Sequence, residues 1–304
     1  MLLVFGSLNV DLLFRVQALP RPGQTVLCPG YELAPGGKGA NQAAAAARAG
    51  AAVRMVGQVG DDDFGRLMRE VLQAAGVDVA GIGTADRPTG TAVIAIDATG
   101  ENQIVVASGA NLAARAGQVS PADLRTGVTL LCQNEVPSTE TFTLIERARA
   151  AGARTILNLA PAGEVPPRTL DALDVLVVNE HEARVVAGAG ADSPAVLART
   201  LAARHGLTCV ITLGAEGAIA VAPDGGLRVP ALKVQPVDTT GAGDAFVGVL
   251  AAALDQGRSL GEALRRASVA AGLACTAVGA QTSQPDARSI EEHLGDLPEA
   301  SPLP

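Results

Sequence analysis

The chain has 304 residues, 48% of them hydrophobic, enough to bury a large core. Its formal net charge is −8 and no run of Lys or Arg stands out, which argues against a nucleic-acid or anionic-membrane partner. Cys28, Cys132, Cys209 and Cys275 are scattered without a C-x-x-C, and His181, His205 and His293 lie far apart. Neither a disulfide framework nor a local metal motif is expected.

The N-terminal stretch MLLVFGSLNVD lacks a basic region and reaches Asp11 too soon for a signal peptide. No 18-residue apolar stretch looks transmembrane, so a cytoplasmic protein is expected. LLVFGSL has the length and character of a strand, ending in GSLNVD. Asn9 and Asp11 lie two apart, so an extended segment points both to one side. They would bind hydroxyl groups there, or merely end the strand.

Residues 12–34 read as short strands joined by tight turns. APGGKGANQAAAAARAG follows, in which Gly36, Gly37 and Gly39 let the backbone approach a ligand and Asn41 opens an Ala-rich helix. It is not a P-loop, because Lys38 is followed by Gly39 rather than Ser or Thr. The plainer reading is a tight strand-to-helix turn with a solvated Lys38 and alanines as helix filler.

VRMVGQV reads as a second core strand. TAVIAID and QIVVAS, joined at Thr99-Gly100, read as a hairpin. With 12–34 this pair, at about 89–107, predicts a small extra sheet placed over the binding edge as a lid. VTLLCQ, RTILNLA, DVLVVN and TCVITLG then alternate with helix-compatible stretches. Such alternation predicts one α/β domain over 1–304, its parallel sheet covered by helices on both faces. Ligands of such sheets bind beyond the carboxyl ends of the strands.

Several polar exits would line that edge. Glu135 follows VTLLCQN, NEHE at 179–182 follows DVLVV, and TLGAEG from Thr212 to Gly217 makes a Gly-bounded turn. At 238–246 the chain reads DTTGAGDAF, followed by the apolar VGVLAAAL. Asp244 either caps the coming helix or acts beside an anion held by the N–H groups of Gly241, Ala242 and Gly243. The tail after Gln284 reads as a short surface helix and then frayed chain.

Taken in order, GSLNVD, GGKGANQA, GAN at 109–111, NEHE, TLGAEG and DTTGAGDAF resemble the ribokinase-like, PfkB-type carbohydrate kinases over about residues 2–290. The resemblance implies a Rossmann-like core and a β-sheet lid that also forms a homodimer interface. It implies ATP-dependent phosphorylation of a pentose, at O5 of D-ribose. Asn9, Asp11, Gly37, Lys38, Asn41 and Glu135 would hold the sugar, and Asp244 would be the catalytic base. Asn179, Glu182, the turn from Thr212 through Gly214 to Gly217, Gly243 and Ser268 would surround ATP and Mg2+. Asp238, Ser283 and the carbonyls of Thr240, Ala274, Ala277 and Gly279 would hold K+. Leu159, where the family commonly shows Pro, and Asn134, where it commonly shows an apolar residue, would reshape the sugar side.

Phosphoryl transfer needs positioning and charge stabilisation, which N–H groups at a helix start supply, with Asp244 accepting the proton of the attacking hydroxyl. The rivals are a sibling kinase acting on another sugar, a sugar acid or a nucleoside, and a non-catalytic sugar or nucleotide sensor. Aromatic content of 2%, with no Trp, leaves little to stack on a nucleobase. An NAD enzyme lacks its glycine fingerprint here.

Overall fold

The structure is a computed structural model describing residues 1–188 and 192–303. Strand β1 (Leu2–Phe5) is buried at every residue and lies inside a ten-stranded sheet. The chain leaves it for a four-stranded sheet, through β2 (Asn9–Arg15) and β3 (Glu32–Gly36), and returns as helix α1 (Lys38–Arg48). β4 (Val53–Gly60), α2 (Asp63–Ala74) and β5 (Asp78–Ala85) extend the large sheet on one side of β1. β6 (Gly90–Ile96) and β7 (Asn102–Ala107) then complete the small sheet in the order β3-β2-β6-β7.

The other side is built by β8 (Thr129–Cys132), α3 (Ser138–Ala150), β9 (Arg154–Asn158), α4 (Pro167–Leu170), β10 (Val175–Asn179), α5 (Glu180–Ala187), α6 (Pro194–His205) and β11 (Thr208–Thr212). All neighbours from β5 across β1 to β11 pair parallel. β12 (Ala218–Ala222) and β13 (Gly225–Val229) add an antiparallel edge. Helices α7 (Ala242–Asp255), α8 (Leu260–Ala274) and α9 (Ala287–His293) follow, and β14 (Ser301–Pro302) pairs with β13.

The apolar strands bury both faces, as a helix-covered parallel sheet requires. One layer joins Leu2, Val4, Met55 and Val210 to α1, α7 and α8; the other joins Leu3, Phe5, Leu130 and Ile211 to α3 and α6. Each such side chain contributes about 1.5–3 kcal/mol of transfer free energy.

Three expectations are corrected. Asn9 and Asp11 do not finish the first strand; they begin β2, so the small sheet starts at residue 9 rather than 12. The alanines of α1 are not filler, because Ala43, Ala44, Ala45 and Ala46 are buried against α7. A Cβ on the facing Gly248 would come within 2.5 Å of the Gln42 carbonyl, so small residues set how closely these helices approach. The tail is not frayed: Ile290 and Leu297 are buried, and Arg265 donates to the Leu294 and Leu297 carbonyls before β14 pairs.

The small sheet is anchored at its base. Asn111 accepts from Leu8 N and donates to Leu8 O and Asn9 Oδ1, while Asp62 accepts from both the N–H and the hydroxyl of Thr89. Leu33, Val93, Ile104, Val105 and Val106 stand exposed, whereas Ile94 and Ile96 are half-buried.

Candidate active site

The site lies where the chain order reverses. From β1 the large sheet first grows through β4 to β5, then resumes on the opposite flank with β8. Loops leaving two strands at such a reversal diverge and open a crevice at their carboxyl ends. Ser7, just after β1, donates its hydroxyl to Glu135 Oε2, just after β8, at 2.6 Å. The first N–H of α1, on Lys38, reaches the same carboxylate oxygen at 3.0 Å. The crevice thus brings the loop after β1, the start of α1 and Glu135 together.

Gly37, Lys38 and Asn41 take their places from this turn. Gly37 is the α1 N-cap with φ 86°, and a Cβ there would sit 2.8 Å from Asn9 N, so only glycine fits. The glycine run therefore answers to chain crowding against β2 as well as to any ligand. Asn9 is buried and Asp11 half-buried on one face of β2. The Asp11 carboxyl is pushed up to about 6 by burial and by the charges of Glu135 and Asp244. Burial alone would lower the Lys38 ammonium, but Asp244, Glu135 and Glu182 outweigh it and hold the amine above its ordinary range. The Lys38 amine thus lies within reach of the charges of Asp244, Glu135 and Glu182, and the Asp11 carboxyl within reach of Glu135 and Asp244.

Asp244 is the third residue of α7. Its Oδ2 accepts from Asn41 Nδ2 at 2.9 Å and its Oδ1 from Gln42 Nε2 at 2.8 Å. The Ala-rich contact between α1 and α7 delivers both amides. The capping alternative fails here, because the carboxylate faces α1 and takes no bond from its own helix start among the described residues. The α7 N-cap is Gly241, at φ 76°, where a Cβ would lie 2.7 Å from the Ala280 Cα. Among the described residues no partner reaches the N–H of Gly241, Gly243 or Asp244, while that of Ala242 meets the Thr239 carbonyl at 3.2 Å. A Cβ on Gly243 would enter open space. An anion would find free donors at this helix start.

Asn179 and Glu182 form a reciprocal capping box at the start of α5: Asn179 Oδ1 accepts from Glu182 N, and Asn179 N donates to Glu182 Oε2. Burial raises the Glu182 carboxyl above its usual range, against the Asn179 bond and the Lys38 charge. Thr212 pairs with Asn179 in the β10–β11 ladder, and Gly214 and Gly217 bound the short turn beyond it. Among the described residues no hydrogen bond brings Ser268 to this group; it is buried and donates to the Pro230 carbonyl at 2.6 Å.

Around the α7 entrance, Asp238 accepts from Thr240 N at 2.9 Å and Gly279 N at 3.0 Å, and Ser283 donates to the Gly279 carbonyl at 2.5 Å. Burial would raise the Asp238 carboxyl, but these donors hold it below the usual range. Ala274 ends α8, and Ala277 lies in the turn that follows. A carboxylate, a hydroxyl and backbone carbonyls suit a large oxygen-seeking monovalent cation. Among the described residues no group of three His, Cys, Asp or Glu side chains forms a metal cluster.

The two sugar-side departures resolve differently. Leu159 is fully buried in the apolar layer and lines no crevice, since the chain turns it into the core under β10. Asn134 ties the loop after β8 to that after β9, donating N to Ala160 O and Nδ2 to Pro161 O. Ser7, Gln42, Asn111, Gln133, Asn158 and Gln281 were missed as site residues. Ser7, Gln42 and Asn111 lay inside the quoted motifs, while Gln133 and Asn158 showed only polarity beside apolar strands.

Comparison with known proteins identifies the family and the fold. The model of the pfkB family of carbohydrate kinases matches residues 1–287. The ribokinase of Haemophilus influenzae is 36% identical over 299 residues, covering 96% of this chain and 98% of the relative. The crystal structure of ribokinase from Thermotoga maritima superposes with a TM-score of 0.90 at 31% identity, covering 97% of this chain and 99% of that one. Arabidopsis thaliana ribokinase complexed with ribose and ATP gives a TM-score of 0.88 at 32% identity, covering 96% and 98%.

Proposed function

The chain belongs to the pfkB family of carbohydrate kinases, and from that premise we propose that it transfers the γ-phosphoryl group of ATP to O5 of D-ribose. One observation carries the reading: the Asp244 carboxylate stands beside an α7 start with unpartnered N–H groups and is aimed by Asn41 and Gln42 rather than spent on its own helix. The relative with ribose and ATP bound supports the choice of substrates.

In this mechanism Asn9 and Asp11 on the small sheet, with Gly37, Lys38, Asn41 and Glu135 on the core, bind and orient the sugar hydroxyls. Asp244 takes the proton of the attacking hydroxyl. The Gly241, Ala242 and Gly243 amides stabilise charge growing on the transferred group. ATP, when bound, would supply that group, and Mg2+ held with it near Asn179 and Glu182 would neutralise phosphate charge. Asn179, Glu182 and the turn from Thr212 through Gly214 to Gly217 would flank the nucleotide. Ser268 contributes by holding the chain at Pro230.

A coupled ADP-release assay over pentoses, hexoses, sugar acids and nucleosides tests the reading. Ribose should give the highest kcat/KM, and a panel without ribose turnover would overturn it. A sugar acid finds Lys38 as its obvious cation among the described residues of the site. A nucleobase finds little aromatic surface, since there is no Trp and Tyr31 already packs one side at 5.5 Å from Phe14. A sensor would have no use for a base oriented by two amides.

Two finer properties belong to the same proposal. Asp238, Ser283 and the carbonyls of Thr240, Ala274, Ala277 and Gly279 would hold K+ and order the α7 entrance. Rates should therefore rise in K+ over a bulky organic cation at equal ionic strength, and equality would remove the site. The small sheet's apolar rung of Leu33, Leu12, Val93 and Val105, with its unpaired edges, suits a twofold homodimer. Sedimentation at micromolar concentration should show a dimer, and monomer alone would sink it. Among the described residues no helix is long and apolar enough to cross a membrane.

A further inference from the structure

Asp244 is held by one amide whose own orientation is dictated from the backbone. The Val177 carbonyl can only accept, so the Asn158 group facing it at 3.1 Å is the NH2. That turns Asn158 Oδ1 toward Gln42, where it accepts from Nε2 at 2.9 Å. The second hydrogen on the same Nε2 goes to Asp244 Oδ1 at 2.8 Å. Gln42 Oε1 in turn accepts from Gln133 Nε2 at 2.7 Å. A flipped Gln42 would set its oxygen against the oxygens of Asn158 and Asp244. Gln42 and Gln133 are wholly buried and Asn158 nearly so, which removes water as a substitute partner.

From this one-way chain we propose that Gln42 is a positioning residue for the proposed base, and that Gln133 locks it. Gln42 touches neither reacting atom; it fixes the rotation of the Asp244 carboxylate so that its remaining lone pairs face the sugar hydroxyl. Asn41 performs the matching task on Oδ2, but it also faces the sugar, so its replacement would mix two effects. Gln42 lies behind the carboxylate and isolates orientation from binding. The inference rests on the kinase reading of Asp244 for its catalytic meaning, though not for its geometry.

The test pairs kinetics with a spectroscopic readout on Gln42→Met and Gln133→Met in the full chain. The Asp244 carboxyl 13C resonance, assigned by its loss in Asp244→Asn, reports the hydrogen bond without any turnover. Gln42→Met should move that resonance and lower kcat by roughly 10–100-fold, with the KM for ATP within about twofold of wild type. Gln133→Met should do both to a smaller degree, and it decides the matter if Gln42→Met does not fold. An unmoved resonance, or a kcat within about twofold of wild type, in a folded Gln42→Met overturns the proposal. If the wild type phosphorylates no sugar, the kinase reading falls, and the resonance still decides whether Gln42 orients Asp244.

Discussion

Helices α5 and α7 both carry an acid at their third position, and the two acids do opposite things. Glu182 turns back to its own N-cap, Asn179, and closes the helix start with a capping box. Asp244 turns away, and its N-cap is a glycine without a side chain. The difference comes from what packs nearby. The α5 start lies at the sheet end beside Thr212, where among the described residues Asn179 alone donates to the Glu182 carboxylate. The α7 start has two amides from α1 pressed against it by the contact at Gly248. An acid near a helix start caps only when nothing stronger competes for its oxygens.

Replacing Asp244 by Asn attacks that contrast most directly. Asn cannot take a proton from a hydroxyl, so the chemical step should slow by roughly 10²–10⁴-fold in single-turnover assays. Its NH2 would also face the Asn41 or Gln42 donor, so unfolding should show a loss of about 1–3 kcal/mol. An acid serving merely as a cap would tolerate Asn, and a fully active, fully stable variant would erase the distinction between the two helices. The same variant should flatten one pH effect. Asp11, raised from 3.8 to about 6, contributes stability that is present below 3.8 and lost as pH rises through 6. Without the Asp244 charge that loss should shrink, which thermal melts between pH 4 and 7 would record.

Gly241→Ala probes the open N-cap of α7. The residue would have to hold φ 76° and place its Cβ 2.7 Å from Ala280, so we expect a loss of about 1–2 kcal/mol from the dihedral alone. Turnover should fall with it as the N–H groups shift, and unchanged kcat would mean that this entrance need not keep its shape. The smallest effect is expected at α5. Asn179→Ala should cost about 1 kcal/mol in denaturant unfolding and raise the KM for ATP with kcat nearly intact. A collapse of kcat there would place α5 in the chemistry and blur the comparison.

Much of this was readable in the chain itself. Continuous apolar runs announced β1, β4 and β8 to β11, because a strand buried on both faces admits little else. β5 passed without notice, since only Ile82 within it is buried. The antiparallel edge formed by β12, β13 and β14 escaped as well, because short strands between glycines carry no marker of direction. Among the motif residues, Asp11 feels the charges of Glu135 and Asp244, and Lys38 those of Asp244, Glu135 and Glu182. The amides behind Asp244 were not readable. Gln42 and Asp244 are 202 residues apart, and a hydrogen bond across that distance leaves no local period or spacing.

Only residues 6–8 separate the buried end of β1 from the first residue of β2. Within that bridge Ser7 grips Glu135, and Leu8 is held on both its backbone groups by Asn111. The small sheet is therefore geared to the crevice floor. Any tilt of β2 must twist this three-residue axle and drag the Ser7 hydroxyl across the Glu135 carboxylate. A hydroxyl-bearing ligand pulling on Asp11 from one side would be registered at Glu135 on the other, through a linkage of three residues.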